Sequence, residues 1–198
     1  MNKVIIATHN QDKYREINLL LSSMGLDIIN LNSFPNIGEI PEDGLTLEEN
    51  ALIKARTVFS ITGIPSIADD TGLEVDALNG APGVYTARFA GEGCSYSDNI
   101  KKIIKDMESI PFDKRGAVFR TVMVYKSSNL ELIAEGFVKG YISEKIKGVD
   151  GFGYDPVFYV QEKEKTFAEM SALEKNKISH RARAIIALKK KLSPILLK

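Results

Sequence analysis

The first apolar run, Lys3-Val4-Ile5-Ile6-Ala7-Thr8, is short and β-branched, and it predicts a buried strand. The spacing then becomes helical, with Ile17, Leu20, Leu21 and Met24 recurring and Gly25 placed where a helix stops. Leu26 to Leu31 returns to a strand pattern and completes a βαβ opening. Asn32 to Gly44, punctuated by Pro35, Gly38 and Pro41, predicts a loop that ends in Glu42-Asp43-Gly44. Thr46-Leu47-Glu48-Glu49 is a capping box, opening a helix with Leu52, Ala55, Val58 and Phe59 on one face and Gly63 at its end. Lys54 lies off that face, where a lysine is ordinarily solvated. Ser97 opens a further helix that turns Ile100, Ile103, Ile104 and Met107 inward. Strands over Ala117 to Tyr125 and Leu130 to Val138 join across Ser127-Ser128-Asn129 as a hairpin. The last helix is predicted over 182–191, with Ser179 able to cap it. No repeat or long linker divides the pattern. Residues 1–198 therefore read as a single α/β domain whose sheet mixes parallel and antiparallel pairs.

Charge changes the picture by exclusion. Lys+Arg and Asp+Glu both number 26, and a formal net charge of +0 argues against a general nucleic-acid binder. Positive charge for a small anionic ligand would have to be local. The single cysteine, Cys94, has no intrachain partner and fits a reducing compartment. Val4 to Ala7 is too short for a signal-peptide core, and no apolar run approaches the ~20 residues of a membrane span. A soluble cytoplasmic protein without a membrane partner is the expectation.

Four stretches carry candidate chemistry. Thr8-His9-Asn10-Gln11-Asp12-Lys13 joins a strand to a helix, and free backbone N–H groups at such a junction can bind an anion. Thr and Asn are also ordinary capping residues. In Asp69-Asp70-Thr71-Gly72, an extended backbone sends neighbouring side chains to opposite sides, so one carboxylate can face a cleft while the other anchors the chain. The same residues, with Asn79-Gly80 and Pro82-Gly83, also read as ordinary turns. Glycines around Phe152 in Gly151-Phe152-Gly153-Tyr154-Asp155-Pro156 free an aromatic ring to lie on a flat partner, although a core Phe beside a turn is commoner. In Glu174-Lys175-Asn176-Lys177-Ile178-Ser179-His180-Arg181, the histidine follows a potential cap, where a surface residue is the usual finding.

Together with Glu42-x-Gly44-x-Thr46-x-x-x-Asn50-Ala51-x-x-Lys54, these motifs occur in the order of the inosine/xanthosine triphosphate pyrophosphatase family, which the chain resembles from Val4 to about Lys190. The resemblance implies an elongated mixed sheet, two lobes with an active-site groove between them, and a homodimer. It implies hydrolysis of ITP, dITP and XTP to the monophosphate and pyrophosphate. Thr8 to Lys13, Lys54, Thr71, Phe152, Gly153, Tyr154, Asp155, Lys175, His180 and Arg181 would then contact the purine nucleoside triphosphate. Glu42 and Asp70 would hold Mg²⁺, with Mn²⁺ as the alternative, and Asp70 would also serve as the catalytic base. Thr71 stands where the family often has Ser and keeps the hydroxyl. A nucleotide sensor without turnover, or a pyrophosphatase for modified pyrimidine nucleotides, fits less well. The acidic trio Glu42, Asp69 and Asp70 weighs against the first, and the Phe152 and His180-Arg181 motifs against the second.

Overall fold

The computed structural model describes residues 3–196. In chain order the elements are β1 (Lys3–Ile6), α1 (Gln11–Leu21), β2 (Asp27–Asn30), α2 (Leu47–Thr62), β3 (Ser66–Val75) and β4 (Pro82–Gly83). They continue with α3 (Tyr96–Asp106), β5 (Gly116–Lys126), β6 (Glu131–Ile142), β7 (Phe158–Val160), β8 (Lys165–Thr166), α4 (Ala172–Lys175) and α5 (His180–Leu196). Strand order is β2-β1-β3-β5-β6-β7-β8, with β4 paired to β3. β1 runs parallel to β2 and β3, whereas the β3–β4, β6–β7 and β7–β8 pairs are antiparallel. The expected mixed sheet is present.

The described residues fall into two compact units. The first takes the chain up to Asp70, then Thr121–Gly136, then the segment from His180 onward. Its core gathers Val4 and Ile6 of β1, Ile17 and Leu21 of α1, Ile67 of β3, Met123 of β5, and Ile185 and Leu188 of α5. The helix-period pattern of α1 and the apolar run of β1 thus bury against each other. The second unit, Thr71–Arg120 with Phe137–Ser179, packs Leu73, Ile100, Ile103, Met107, Phe119, Phe158 and Phe167 into its own core.

Local signals place most helix ends. The Thr46 hydroxyl accepts from the Glu49 N–H while the Glu49 carboxylate accepts from the Thr46 N–H, and Gly63 closes α2 at φ 67°. α3 starts at Tyr96, one residue earlier than the sequence suggested. Ser95 is its cap, because Asp98 lies three residues after Ser95 and completes the box. The hairpin between β5 and β6 closes with the Ser127 N–H donating to the Leu130 carbonyl at 2.8 Å.

Gly136 lets the backbone of α5 come close to β6. A Cβ there would lie 2.2 Å from the Ala184 nitrogen and 2.3 Å from the His180 carbonyl oxygen, both backbone atoms. The missing side chain lets the first turns of α5 rest on β6, which fixes His180 and Arg181 in the first unit. Gly136→Ala is expected to destabilise the protein by about 1–3 kcal/mol, because backbone on both sides must shift. Chemical denaturation checks this, and an unchanged midpoint would show that the helix yields freely.

Candidate active site

In the first unit, Asn10 caps α1. Its Oδ1 accepts from the N–H groups of Asp12 at 3.0 Å and Lys13 at 3.1 Å, while its own N–H donates to Thr8 Oγ1. This alters the anion-loop expectation. Two of the N–H groups at this helix start are already bonded to the capping side chain, which leaves Lys13 as the loop's charged contribution.

Asp69 and Asp70 alternate on β3 as the extended backbone requires, and both are buried. Asp69 Oδ2 lies 3.3 Å from Lys13 Nζ and accepts from Arg181 Nη2 at 3.3 Å and Nε at 3.4 Å. Arg181, itself 1% exposed, also donates from Nη1 to Glu16 Oε2. Two cations and two carboxylates therefore balance around Asp69. Burial alone would push the Asp69 carboxyl up, but the charges of Lys13, Arg181 and Lys54 outweigh it and hold the group well below the usual range.

Asp70 meets α2. Lys54 Nζ donates to Asp70 Oδ1 at 3.1 Å and to Glu42 Oε1 at 2.6 Å, and Asn50 Nδ2 donates to Asp70 Oδ2 at 3.2 Å. The helical periodicity put Lys54 among solvated lysines. Instead it is 5% exposed, because carboxylates from β3 and from the loop before α2 converge on it. Burial and the neighbouring Glu42 and Asp69 push the Asp70 carboxyl up, against the opposing pull of Lys54 and Lys13. Glu42 goes the other way: burial raises it, and Lys54 and Lys13 more than reverse that. For Lys54, burial favours the neutral amine, but Asp70 and Glu42 keep it above the ordinary lysine value. The sequence reading did not assign Asn50 or Glu16 a role. Asn50 was visible within the Glu42–Lys54 motif, but Glu16 had no local signal.

Two carboxylates share one ammonium in this trio, which leaves one formal negative charge in a largely buried setting. Their oxygens converge on a single cationic point. A hard divalent ion with oxygen ligands fits that donor set if phosphate oxygens and water complete its coordination. Among the described residues no group of three or more His, Cys, Asp or Glu side chains could hold a metal alone.

In the second unit, Gly151 and Gly153 adopt φ of 73° and 60°, and a Cβ on Gly151 would come within 2.0 Å of Asp155 Oδ2. Asp155 Oδ2 accepts from the Phe152 N–H at 2.9 Å and from Lys175 Nζ at 2.6 Å. Lys175 Nζ also stands 4.9 Å from the centre of the Phe152 ring, and Tyr96 lies against that ring at 6.0 Å. Tyr154 is buried, and its hydroxyl donates to the Thr86 carbonyl. The structure therefore joins Phe152, Asp155 and Lys175 into one cluster. It places Lys175 under the aromatic ring, where the sequence had suggested a substrate contact. Thr71 is half-buried at the start of this unit, while His180 is buried in the first unit at the head of α5.

The Ham1 family model matches residues 4–191, which is nearly the whole chain. The chain belongs to the Ham1 family. Relatives agree with that membership of this Ham1 chain. It is 49% identical over 187 residues to a dITP/XTP pyrophosphatase of Thermoanaerobacter pseudethanolicus, covering 94% of each protein. It is 48% identical over 197 residues to a dITP/XTP pyrophosphatase of Bacillus licheniformis, covering 99% of this chain and 98% of that one. The solved structure of a HAM1 protein from Coxiella burnetii superposes with a TM-score of 0.88 at 38% identity, covering 98% of this chain and all (100%) of the other.

Proposed function

We propose that this Ham1 chain is a nucleoside triphosphate pyrophosphatase that removes deaminated purine nucleotides, ITP, dITP and XTP, from the nucleotide pool. The observation that carries the reading is the divergence of two adjacent carboxylates. Asp69 is held ionised by cations, while burial and the neighbouring acids push the Asp70 carboxyl up from its ordinary value. Relatives named dITP/XTP pyrophosphatase supply the substrate class.

The reaction needs a water oxygen to bond to phosphorus while the α–β anhydride bond breaks and pyrophosphate departs. Asp70 orients that water and accepts its proton. Lys13 and Lys54 offset charge on the phosphate oxygens as it builds, which is the largest demand of phosphoryl transfer. Glu42 and Asp70 would hold Mg²⁺, or Mn²⁺ in its place, and the ion would act as a Lewis acid on those oxygens. Phe152 is the proposed stacking surface for the purine, with Tyr154, Asp155 and Lys175 fixing its loop. His180 and Arg181 are assigned to the 6-oxo edge. Arg181 also has a prior duty in holding Asp69. The acting form is proposed as a cytoplasmic homodimer; among the described residues no helix is long and apolar enough to cross a membrane.

The test is a panel of nucleoside triphosphates with Mg²⁺ and separate detection of pyrophosphate and phosphate. Pyrophosphate and monophosphate should appear together from ITP, dITP and XTP, and chelation should stop the reaction reversibly. Accumulating IDP with single phosphate would replace this reading with a γ-phosphatase, and full activity in excess EDTA would remove the metal from it.

A further inference from the structure

Glu42 reaches Lys54 from a stretch that no helix or strand supports. Residues 38–44 carry no regular structure, and Glu42 lies in their middle. At the far end the Gly44 N–H donates to Asn50 Oδ1 at 2.8 Å, and a Cβ on Gly44 would come within 2.7 Å of that oxygen. At the near end the contact is an imidazole. His9 Nε2 lies 3.1 Å from the Gly38 carbonyl oxygen, and Nδ1 lies 3.0 Å from Asn32 Oδ1. Pro41 stiffens the chain between Gly38 and Glu42, so a fixed Gly38 restricts where the carboxylate can go.

We propose that His9 is a positioning residue: it fastens the 38–44 arm to the Thr8–Lys13 loop and so holds Glu42 against Lys54. The imidazole ring thus faces the arm, although its place in the motif suggested a substrate contact. The groups around it are acceptors or negative: the Gly38 and Ile37 carbonyls, the Asn32 amide oxygen and the Glu39 carboxylate. Two ring nitrogens facing two acceptors call for the imidazolium, since a neutral ring donates only once. Asn32 and Gly38 hydrogen bonds outweigh the effect of burial and raise the His9 value above 6.5.

The kinetic readout rests on the proposed function, whereas the two solution readouts do not. Hydrogen–deuterium exchange should speed up across residues 38–44 in His9→Ala and recover in part in His9→Gln, whose amide can still donate once. The chain has two histidines, so ring resonances are readily assigned with the His9→Gln spectrum, and His9 should titrate above pH 6.5. With ITP and Mg²⁺, KM should rise on the order of tenfold in His9→Ala, with a smaller change in kcat. Unchanged exchange over 38–44 in His9→Ala, or a His9 midpoint at or below 6.5, overturns the proposal even if ITP proves not to be the substrate.

Discussion

Asp70→Asn is expected to lower turnover by about 10²–10⁴-fold, the range for losing a general base, while the fold survives. The reason for survival lies in the direction of the Asp70 shift. Burial and two neighbouring acids work against its ionised form, so a neutral isostere removes a charge that the folded state does not favour. Lys54 keeps Glu42 as its partner at 2.6 Å, so no buried ammonium is stranded. Wild-type kcat/KM should fall on acidification as Asp70 protonates. The check is kcat/KM with ITP across pH for both proteins, alongside their denaturation midpoints. Near-wild-type turnover in Asp70→Asn would mean that another group handles the proton.

Asp69→Asn should show the reverse profile. It removes the carboxylate between Lys13 and a guanidinium that is almost fully buried. Breaking a buried pair in this way costs about 3–5 kcal/mol, since the surviving charge stays desolvated. Glu16 moderates the loss by keeping one contact to Arg181. The pH dependence has a definite sign. The Asp69 value is depressed on folding, so its stabilisation is complete above the unfolded value near 3.8 and fades as pH falls toward the lower folded value. The gap between wild type and Asp69→Asn should therefore be widest at neutral pH and narrow below about pH 3.8. Urea denaturation at pH 7 and at pH 3 measures it. Equal gaps at both would show that the site is held by packing and not by charge.

Features encoded within a few residues were legible in the sequence. The Thr46–Glu49 box, Gly63 and the Ser127–Asn129 hairpin are local, and their chemistry stands in adjacent letters. The Ser95 cap of α3 was also local, but seeing it required noticing Asp98 at the third helical position. Lys54 was not legible from helical spacing, because its burial is caused by Asp70, 16 residues away in β3, and by Glu42, 12 residues before it. Family resemblance marked the position without giving the reason. Arg181 is the extreme case. Its partners lie 112 and 165 residues away, and no periodicity reports on such a distance. The short strands β7 and β8 escaped for another reason: three and two residues are too few to establish a period.

The Arg181 contacts also bear on how the molecule comes into being. A chain made from its N-terminus presents Lys13, Glu16 and Asp69 long before the segment from His180 emerges. The first unit is stitched from three separated pieces, so it cannot be finished as an early, self-contained domain in the way that continuous N-terminal domains are. Contacts of such long sequence separation are also slow to form. Until α5 docks on β6, Asp69 and Glu16 lack their shared guanidinium, and Asp69 must rely on Lys13 without it. The nascent chain is thus expected to stay catalytically silent through most of its synthesis and to gain its charged centre in one of the last steps of folding.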